Sequence, residues 1–168
     1  MLKITNKKLS TAGIEFSLPE KFYIDFEGME GIHPDGLNLL SPEKDCYISF
    51  MTTEVEFSSP LESLMDIFFY KHINENVINM FEENNNTGYI WIEKPQMGKI
   101  CDLNCAFAKY ETKADYYYEV HFERIKGYDR QLEILLTVPK KHRVNIEEIL
   151  NRNNIKEFYN SIKLLETN

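Results

Sequence analysis

At 168 residues, with 43% apolar, 27% charged and 13% aromatic side chains, the chain has the make-up of a single globular domain over 1–168. Such a chain can bury roughly 70% of the surface its unfolded form exposes, and its apolar content excludes disorder. Nineteen basic against twenty-seven acidic residues leave a net charge of −8, which repels phosphate and anionic lipid and argues against nucleic acid or membrane insertion.

Ile14, Phe16 and Leu18 alternate with polar residues, Pro19-Glu20-Lys21 turns the chain, and Phe22, Ile24 and Phe26 alternate again. This pattern predicts a hairpin. Gly28 to Gly36 reads as a loop ending in the turn His33-Pro34-Asp35-Gly36, followed by a short strand at Leu37–Leu40. Beyond Ser41–Asp45, Tyr47–Phe57 predicts a longer strand with a bulge between Phe50 and Met51, where the alternation shifts.

Ser59-Pro60-Leu61-Glu62 combines a capping box with proline at the first helical position, so a helix starts there. Leu61, Leu64, Met65, Phe68, Phe69 and Ile73, continuing to Phe81, recur at helical spacing and predict one apolar stripe lying on a sheet. A run of strands follows. It begins at Tyr89–Glu93, its first turn is marked by Pro95 and Gly98, and Lys99–Thr112, Asp115–Ile125 and Arg130–Val138 read as a meander. Asn145 with Glu148 repeats the cap logic, giving a short helix and then a final one whose stripe runs from Ile155 to Leu165. The fold class is therefore α+β: an antiparallel sheet of about seven strands, an amphipathic helix between strand runs and a C-terminal helix, with both long helices expected on one side.

The chain has no Walker loop, Gly-x-Gly-x-x-Gly, His-Glu-x-x-His, Cys-x-x-Cys or Gly-x-Ser-x-Gly, and no cofactor or metal is expected. Cys101 and Cys105, read on one strand, would stand roughly 13 Å apart, too far to share a metal or a disulfide. Free thiols at Cys46, Cys101 and Cys105, no stretch apolar over the about eighteen residues of a membrane span, and no apolar core in Met1–Lys8 point to the cytoplasm. Enrichment in Asn, Ile and Lys suggests an AT-rich, bacterial coding sequence.

His121 lies between Glu119 and Glu123 on one face of its strand. A carboxylate two residues away can support general-base work, and the same pattern also describes a solvated strand face. His72 and His33 read as a boundary and a turn residue, Lys140–Arg143 as a basic cluster able to hold an anion or simply a solvated loop, and Asn85-Asn86-Thr87 as a glycosylation match without a secretory context. Strand parity places Phe16, Phe22, Ile24, Phe122, Ile134 and Leu136 toward the helices. Glu15, Tyr23, Asp25, Tyr117, Glu119, His121 and Glu133 then face away, forming an acidic and aromatic surface that reads either as an ordinary wet sheet face or one covered by a long loop, or as a surface for a protein partner.

The Ile14–Pro19 opening, the strand before Ser41-Pro42, the helix start Ser59-Pro60-Leu61-Glu62-Ser63-Leu64, the meander and the closing Phe158-Tyr159-Asn160-Ser161-Ile162 together resemble the PsbP-like fold. That superfamily includes PsbP, a Ran-binding import factor and DcrB-type bacterial proteins. The resemblance implies the fold and a bias toward protein binding or assembly, and it carries no active-site residue. A non-catalytic adaptor or chaperone-like module, binding an unknown protein through Tyr23, Asp25, Tyr117, Glu119 and His121, is the leading expectation. The alternative is a small-molecule binder or enzyme with a pocket between helix and sheet, using His121 or His72.

Overall fold

The computed structural model describes residues 3–5, 8–24, 36–54, 59–70 and 90–165. Strands β1 (Lys3–Thr5), β2 (Lys8–Thr11), β3 (Ile14–Ser17) and β11 (Lys163–Leu164) form a small antiparallel sheet in the order β1-β2-β3-β11. The large sheet is built from β4 (Tyr23–Ile24), β5 (Gly36–Leu40), β6 (Tyr47–Glu54), β7 (Ile90–Ile100), β8 (Leu103–Glu111), β9 (Asp115–Phe122) and β10 (Arg130–Pro139). Its seven strands run in the order β4-β5-β6-β10-β9-β8-β7, and every pairing is antiparallel. Helices α1 (Pro60–Tyr70), α2 (Ile146–Leu150) and α3 (Asn153–Asn160), with a 3-10 turn at Lys140–His142, complete the described elements.

Both cap signals hold. Ser59 Oγ accepts the Glu62 amide at 3.2 Å at the start of α1, and Asn145 Oδ1 accepts the Glu148 amide at 2.9 Å at the start of α2. Each satisfies an N–H that a helix end leaves without an intrahelical partner.

The small sheet was not legible in the pattern, and it replaces the expected hairpin. Ala12 and Gly13 both have positive φ, 50° and 78°, the geometry of a two-residue hairpin turn that folds β3 back onto β2. The Gly13 position also meets the Tyr128 ring, where a Cβ would come within 2.6 Å. Pro19–Lys21 then carries the chain from one sheet to the other, and β4 pairs with β5 rather than with β3. Phe26 lies outside the described residues.

Three further expectations shift. The β6–β10 register is unbroken from Thr137↔Tyr47 to Arg130↔Glu54, so no bulge separates Phe50 from Met51; Met51 is simply an apolar residue on the outer face. Pro95 and Gly98 sit inside β7, whose pairing is irregular between Trp91 and Gln96, and the turn falls at Cys101–Asp102. Cys101 takes φ 51° there and is exposed while Cys105 is buried, so the two do not share a strand. The final helix stops at Asn160, and Lys163 and Leu164 leave it to pair with β3.

The main core lies between the two sheets and the C-terminal helices. Phe16 of β3 stacks on Phe50 of β6 at 4.9 Å, and Phe158 of α3 meets both rings edge-on at 5.6 and 5.8 Å. One aromatic triangle thus joins the small sheet, the large sheet and α3, with Ile48, Val120, Phe122, Ile134 and Leu136 filling the sheet side. Burying each such side chain stabilises the fold by about 1.5–3 kcal/mol. Arg152, at the α2–α3 junction, adds a two-pronged ion pair to Asp45 at 3.0 and 2.6 Å.

The helices do not share one side. α1 packs on β7, β8 and β9, where Leu64 is buried against Ala106, Ala108 and Tyr110, on the face opposite the main core. Ala106 and Ala108 carry only a Cβ, which lets the helix approach the sheet closely. The face expected to be open is therefore partly roofed by α1.

Candidate functional site

The roofed face holds two arrangements. Beneath α1, the row from β6 to β8 places Glu133 beside His121 and His121 beside Ala106. His121 is 0% exposed, Glu119 5%, Glu133 6% and Ser63 of α1 2%. The expectation that Glu119 and His121 line an open surface is overturned, because α1, expected on the other face, covers them.

These side chains form one hydrogen-bonded chain. Ser63 Oγ lies 2.9 Å from His121 Nδ1, and Gln131 Nε2 donates to the same Oγ. The Glu119 carboxylate beside Nε2 only accepts, so Nε2 carries the imidazole proton, and in the neutral ring Nδ1 accepts from the Ser63 hydroxyl. Nε2 then donates to Glu119 Oε1 at 3.1 Å, and Tyr110 donates to Glu119 Oε2 at 2.7 Å. Glu133 closes the cluster, accepting from Thr53 Oγ1 at 2.6 Å with its carboxylate 3.7 Å from His121 Nδ1. Burial raises the Glu133 pKa, and Glu119 adds to the rise, against the opposing pull of His121 and the Thr53 hydrogen bond.

A hydroxyl, an imidazole and a carboxylate in series are the parts of a nucleophilic site. Here the carboxylate sits on Nε2 and the hydroxyl on Nδ1, and all three are enclosed between helix and sheet. In the folded state this arrangement ties α1 to the sheet: Ser63 bonds His121 of β9 and Gln131 of β10, which adds direction to the apolar contact, while the bonds of Glu119 and Glu133 lie within the sheet.

The second arrangement is a row. The registers align Tyr23, Leu40, Tyr47, Thr137, Tyr117, Tyr110 and Trp91 side by side across all seven strands. Tyr110 and Tyr117 stack at 4.8 Å, and Trp91 meets Tyr110 edge-on at 5.8 Å. Burial and the nearby Asp115, which accepts the Tyr117 hydroxyl at 3.1 Å, push the Tyr117 pKa up to about 12. Tyr110 and Thr137 are buried, Leu40, Tyr47, Tyr117 and Trp91 are half-buried, and Tyr23 is 42% exposed. Met51, 47% exposed, lies four residues along β6 from Tyr47 on the same face.

Of the residues expected on this surface, Tyr23 and Tyr117 thus reach it within one row. Glu119 and His121 lie beneath α1, and Asp25 lies outside the described residues. Glu15 belongs to the small sheet, paired with Lys8 at 3.1 Å. The Lys140–Arg143 cluster is not an open anion site at its first member: Lys140 binds Glu111 at 2.9 Å and the Thr112 carbonyl at 2.6 Å, over the Tyr116 ring. His33, His72 and Asn85 lie outside the described residues. Ser63 and Gln131 were missed. The available signal was the pair of alanines at Ala106 and Ala108, small residues on the strand neighbouring His121 that mark the close approach of a helix.

No protein-family model matches the sequence, and a search of curated proteins finds no relative. Among solved structures, the chain is similar to the cyanobacterial PsbP (CyanoP) of Synechocystis sp. PCC 6803, with a TM-score of 0.55 and 10% identity over 98% of this chain and 92% of that one. It is also similar to a protein from Bacteroides thetaiotaomicron, with a TM-score of 0.48 and 13% identity over 97% of this chain; it spans about half, 50%, of that protein's length. The fold is PsbP-like, and at such identities the likeness carries the fold alone.

Proposed function

We propose that this PsbP-like protein is a non-catalytic binding module, adaptor or chaperone-like, that engages a protein partner through the aromatic row at the β4–β5–β6 end of the large sheet. The row carries the reading. Among the described residues, Tyr23 and Met51 are two of the exposed large apolar side chains; Tyr23 adjoins the half-buried Leu40 and Tyr47, and Met51 lies four residues along β6 from Tyr47 on the same face. Tyrosine offers broad apolar contact with a polar tip and little conformational freedom to lose, which suits recognition of another protein. The residues with chemical potential, Ser63 and His121, are enclosed instead.

Affinity capture from the source organism tests this with the paired change Tyr23→Ala and Tyr47→Ala, against Lys126→Ala as control. Loss of a captured protein with the double variant alone, at an unchanged melting temperature, is the expected result. A captured set indifferent to the double variant assigns binding to some other surface.

The Ser63–His121–Glu119 series favours one second reading, an enzyme whose helix–sheet pocket opens by displacement of α1. A fluorophosphonate probe distinguishes them: labelling at Ser63, abolished by His121→Gln, identifies an enzyme, and the binding-module reading requires that Ser63 stay unlabelled.

A further inference from the structure

Among the described residues the two sheets end in four edge strands, β1 and β11 in the small sheet and β4 and β7 in the large one. β1 has three residues, β4 and β11 two each, and β7 eleven. An edge strand carries a row of backbone N–H and C=O groups with no neighbour to pair with, and shortness is one way of blunting it. β7 is not blunted by length. It also carries Ile90, Ile92 and Met97, three of the six large apolar side chains left exposed among the described residues.

The two halves of β7 differ. Its pairing with β8 is irregular between Trp91 and Gln96, the stretch that holds Lys94 and Pro95, and a broken register with proline disfavours any further strand. From Gln96↔Phe107 to Ile100↔Leu103 the register is unbroken. Gln96–Ile100 is therefore a regular edge. On its core side the ring of Phe107 leans diagonally over Gly98, where a Cβ would come within 2.6 Å of it. This sets a half-buried aromatic ring beside the place a new strand would occupy. On the α1 side stand Met97, 48% exposed, and Lys99, exposed and with no ion-pair partner among the described residues. Glu93, the acid of β7, is held by Lys109 at 3.2 Å.

We propose that Gln96–Ile100 is a docking edge that takes up an extended segment of another protein as an added antiparallel strand. The backbone of that segment supplies the N–H and C=O groups the edge lacks, and antiparallel pairing is the more stable arrangement per residue. Side-chain chemistry follows from the register. The residue opposite Gly98 faces the Phe107 ring and is aromatic or apolar. Its N-terminal neighbour stands opposite Lys99 and is acidic, and its C-terminal neighbour stands opposite Met97 and is apolar. A second copy of this chain does not meet these terms. Paired antiparallel about Gly98, it sets Met97 rather than an acid against Lys99, brings Pro95 against Cys101, and adds a second net charge of −8.

The full chain, labelled with nitrogen-15, is titrated with the capped peptide Ser-Val-Glu-Phe-Leu-Thr-Ser, whose Glu, Phe and Leu meet Lys99, Gly98 and Met97. Shifted amides and slowed hydrogen exchange at Gln96–Ile100 are expected. Two N-methylated forms read the backbone, one methylated at Val, Phe and Thr, the other at Glu and Leu. Alternate residues of an added strand turn their N–H toward the edge, so one form should lose binding and the other keep it. Lys99→Glu should weaken the peptide by about tenfold at unchanged melting temperature, and a peptide with Lys in place of Glu should recover it. Lys126→Gln should change nothing. Shifts confined to other surfaces, N-methylated forms that bind alike, or indifference to Lys99→Glu overturns the proposal. Self-association of the peptide-free chain in sedimentation, with the same amides shifting as concentration rises, assigns the edge to a second copy and also overturns it. Gln96–Ile100 shares no residue with the aromatic row, so failure here leaves the binding-module reading untouched.

Discussion

The two faces of the large sheet are held by different physics. Toward α3, the sheet is sealed by Phe50, Val120, Phe122, Ile134 and Leu136 against Phe16 and Phe158. Toward α1, Leu64 is buried on two alanines and Tyr110 with Leu61, Trp91 and Tyr117 packed around them, and a chain of hydrogen bonds from Gln131 through Ser63 and His121 to Glu119 runs beside this contact. Hydrophobic burial is non-directional and large, whereas each net hydrogen bond contributes about 0.5–1.5 kcal/mol but demands one geometry. The α3 side therefore supplies stability, and the α1 side supplies position.

The largest expected effect is on the α3 side. Phe50→Ala removes the ring shared by β3, β6 and α3 and should destabilise the whole fold by about 3–5 kcal/mol, read as a lower denaturant midpoint with one cooperative transition. A loss smaller than that of Ser63→Ala would invert the assignment of the two faces.

Ser63→Ala should cost less, about 0.5–1.5 kcal/mol for each hydrogen bond lost, because it removes the hydroxyl that bridges Gln131 and His121 and leaves only the longer 3.4 Å contact of Gln131 Nε2 with His121 Nδ1 between them. Its effect should be local: hydrogen exchange accelerates at the described amides of α1 while β6 and β10 keep their protection. Uniform acceleration in all strands would show that α1 is integral to the core rather than latched onto it.

Acid should act through the polar lock of the α3 side. The Arg152 hydrogen bond, with help from Ser41, holds the Asp45 carboxyl below its ordinary value despite partial burial. A depressed native pKa means that the native state sheds the proton more readily than the unfolded chain. The contribution of Asp45 is thus complete above the ordinary carboxylate range and disappears as pH falls through its lowered native pKa. Asp45→Asn should lower stability at pH 7 and flatten the acid limb of the stability curve; an acid limb identical to the parent's assigns acid sensitivity elsewhere.

Glu133 has the opposite sign and the smallest effect. Its pKa is raised by burial, so between the ordinary carboxylate value and the raised one the native state holds more protons than the unfolded state, and stability falls as pH rises through that window. Glu133→Gln keeps an acceptor for Thr53 Oγ1 and removes the charge. It should abolish that fall, leaving the variant at least as stable as the parent at pH 7 in paired urea titrations at pH 4 and 7. A variant less stable at pH 7 than at pH 4, relative to the parent, would mean that attraction to His121 outweighs burial of the carboxylate.

Much of the architecture was legible. Period-two alternation located strands at Ile14–Leu18, Leu37–Leu40, Tyr47–Phe57, Asp115–Ile125 and Arg130–Val138 because one face of each must be apolar, where the described strands are Ile14–Ser17, Gly36–Leu40, Tyr47–Glu54, Asp115–Phe122 and Arg130–Pro139; Ser59/Glu62 and Asn145/Glu148 marked helix starts through hydrogen bonds made within four residues. The candidate site was legible only in part. Glu-x-His-x-Glu has the same alternation whether water or a helix covers it, so Glu119 and His121 read as surface. Ser63 offered no local signal, since its partner lies 58 positions away. Cys101 read as strand because its left-handed φ, normally a task for glycine, is imposed by the pairing of Ile100 with Leu103.

Parity along each strand, the cap residues and the α+β class follow from interactions between near neighbours, and for those the amino-acid order was sufficient. Which face of the sheet α1 covers follows from contacts between residues distant in the chain: Ala106 and Ala108 leaving room, Ser63 meeting His121, Arg152 reaching Asp45. Those contacts compete with one another for burial, and the competition is resolved only when all seven strands are in register. The same register that hid His121 gathered Tyr23, Tyr47 and Tyr117 into one row.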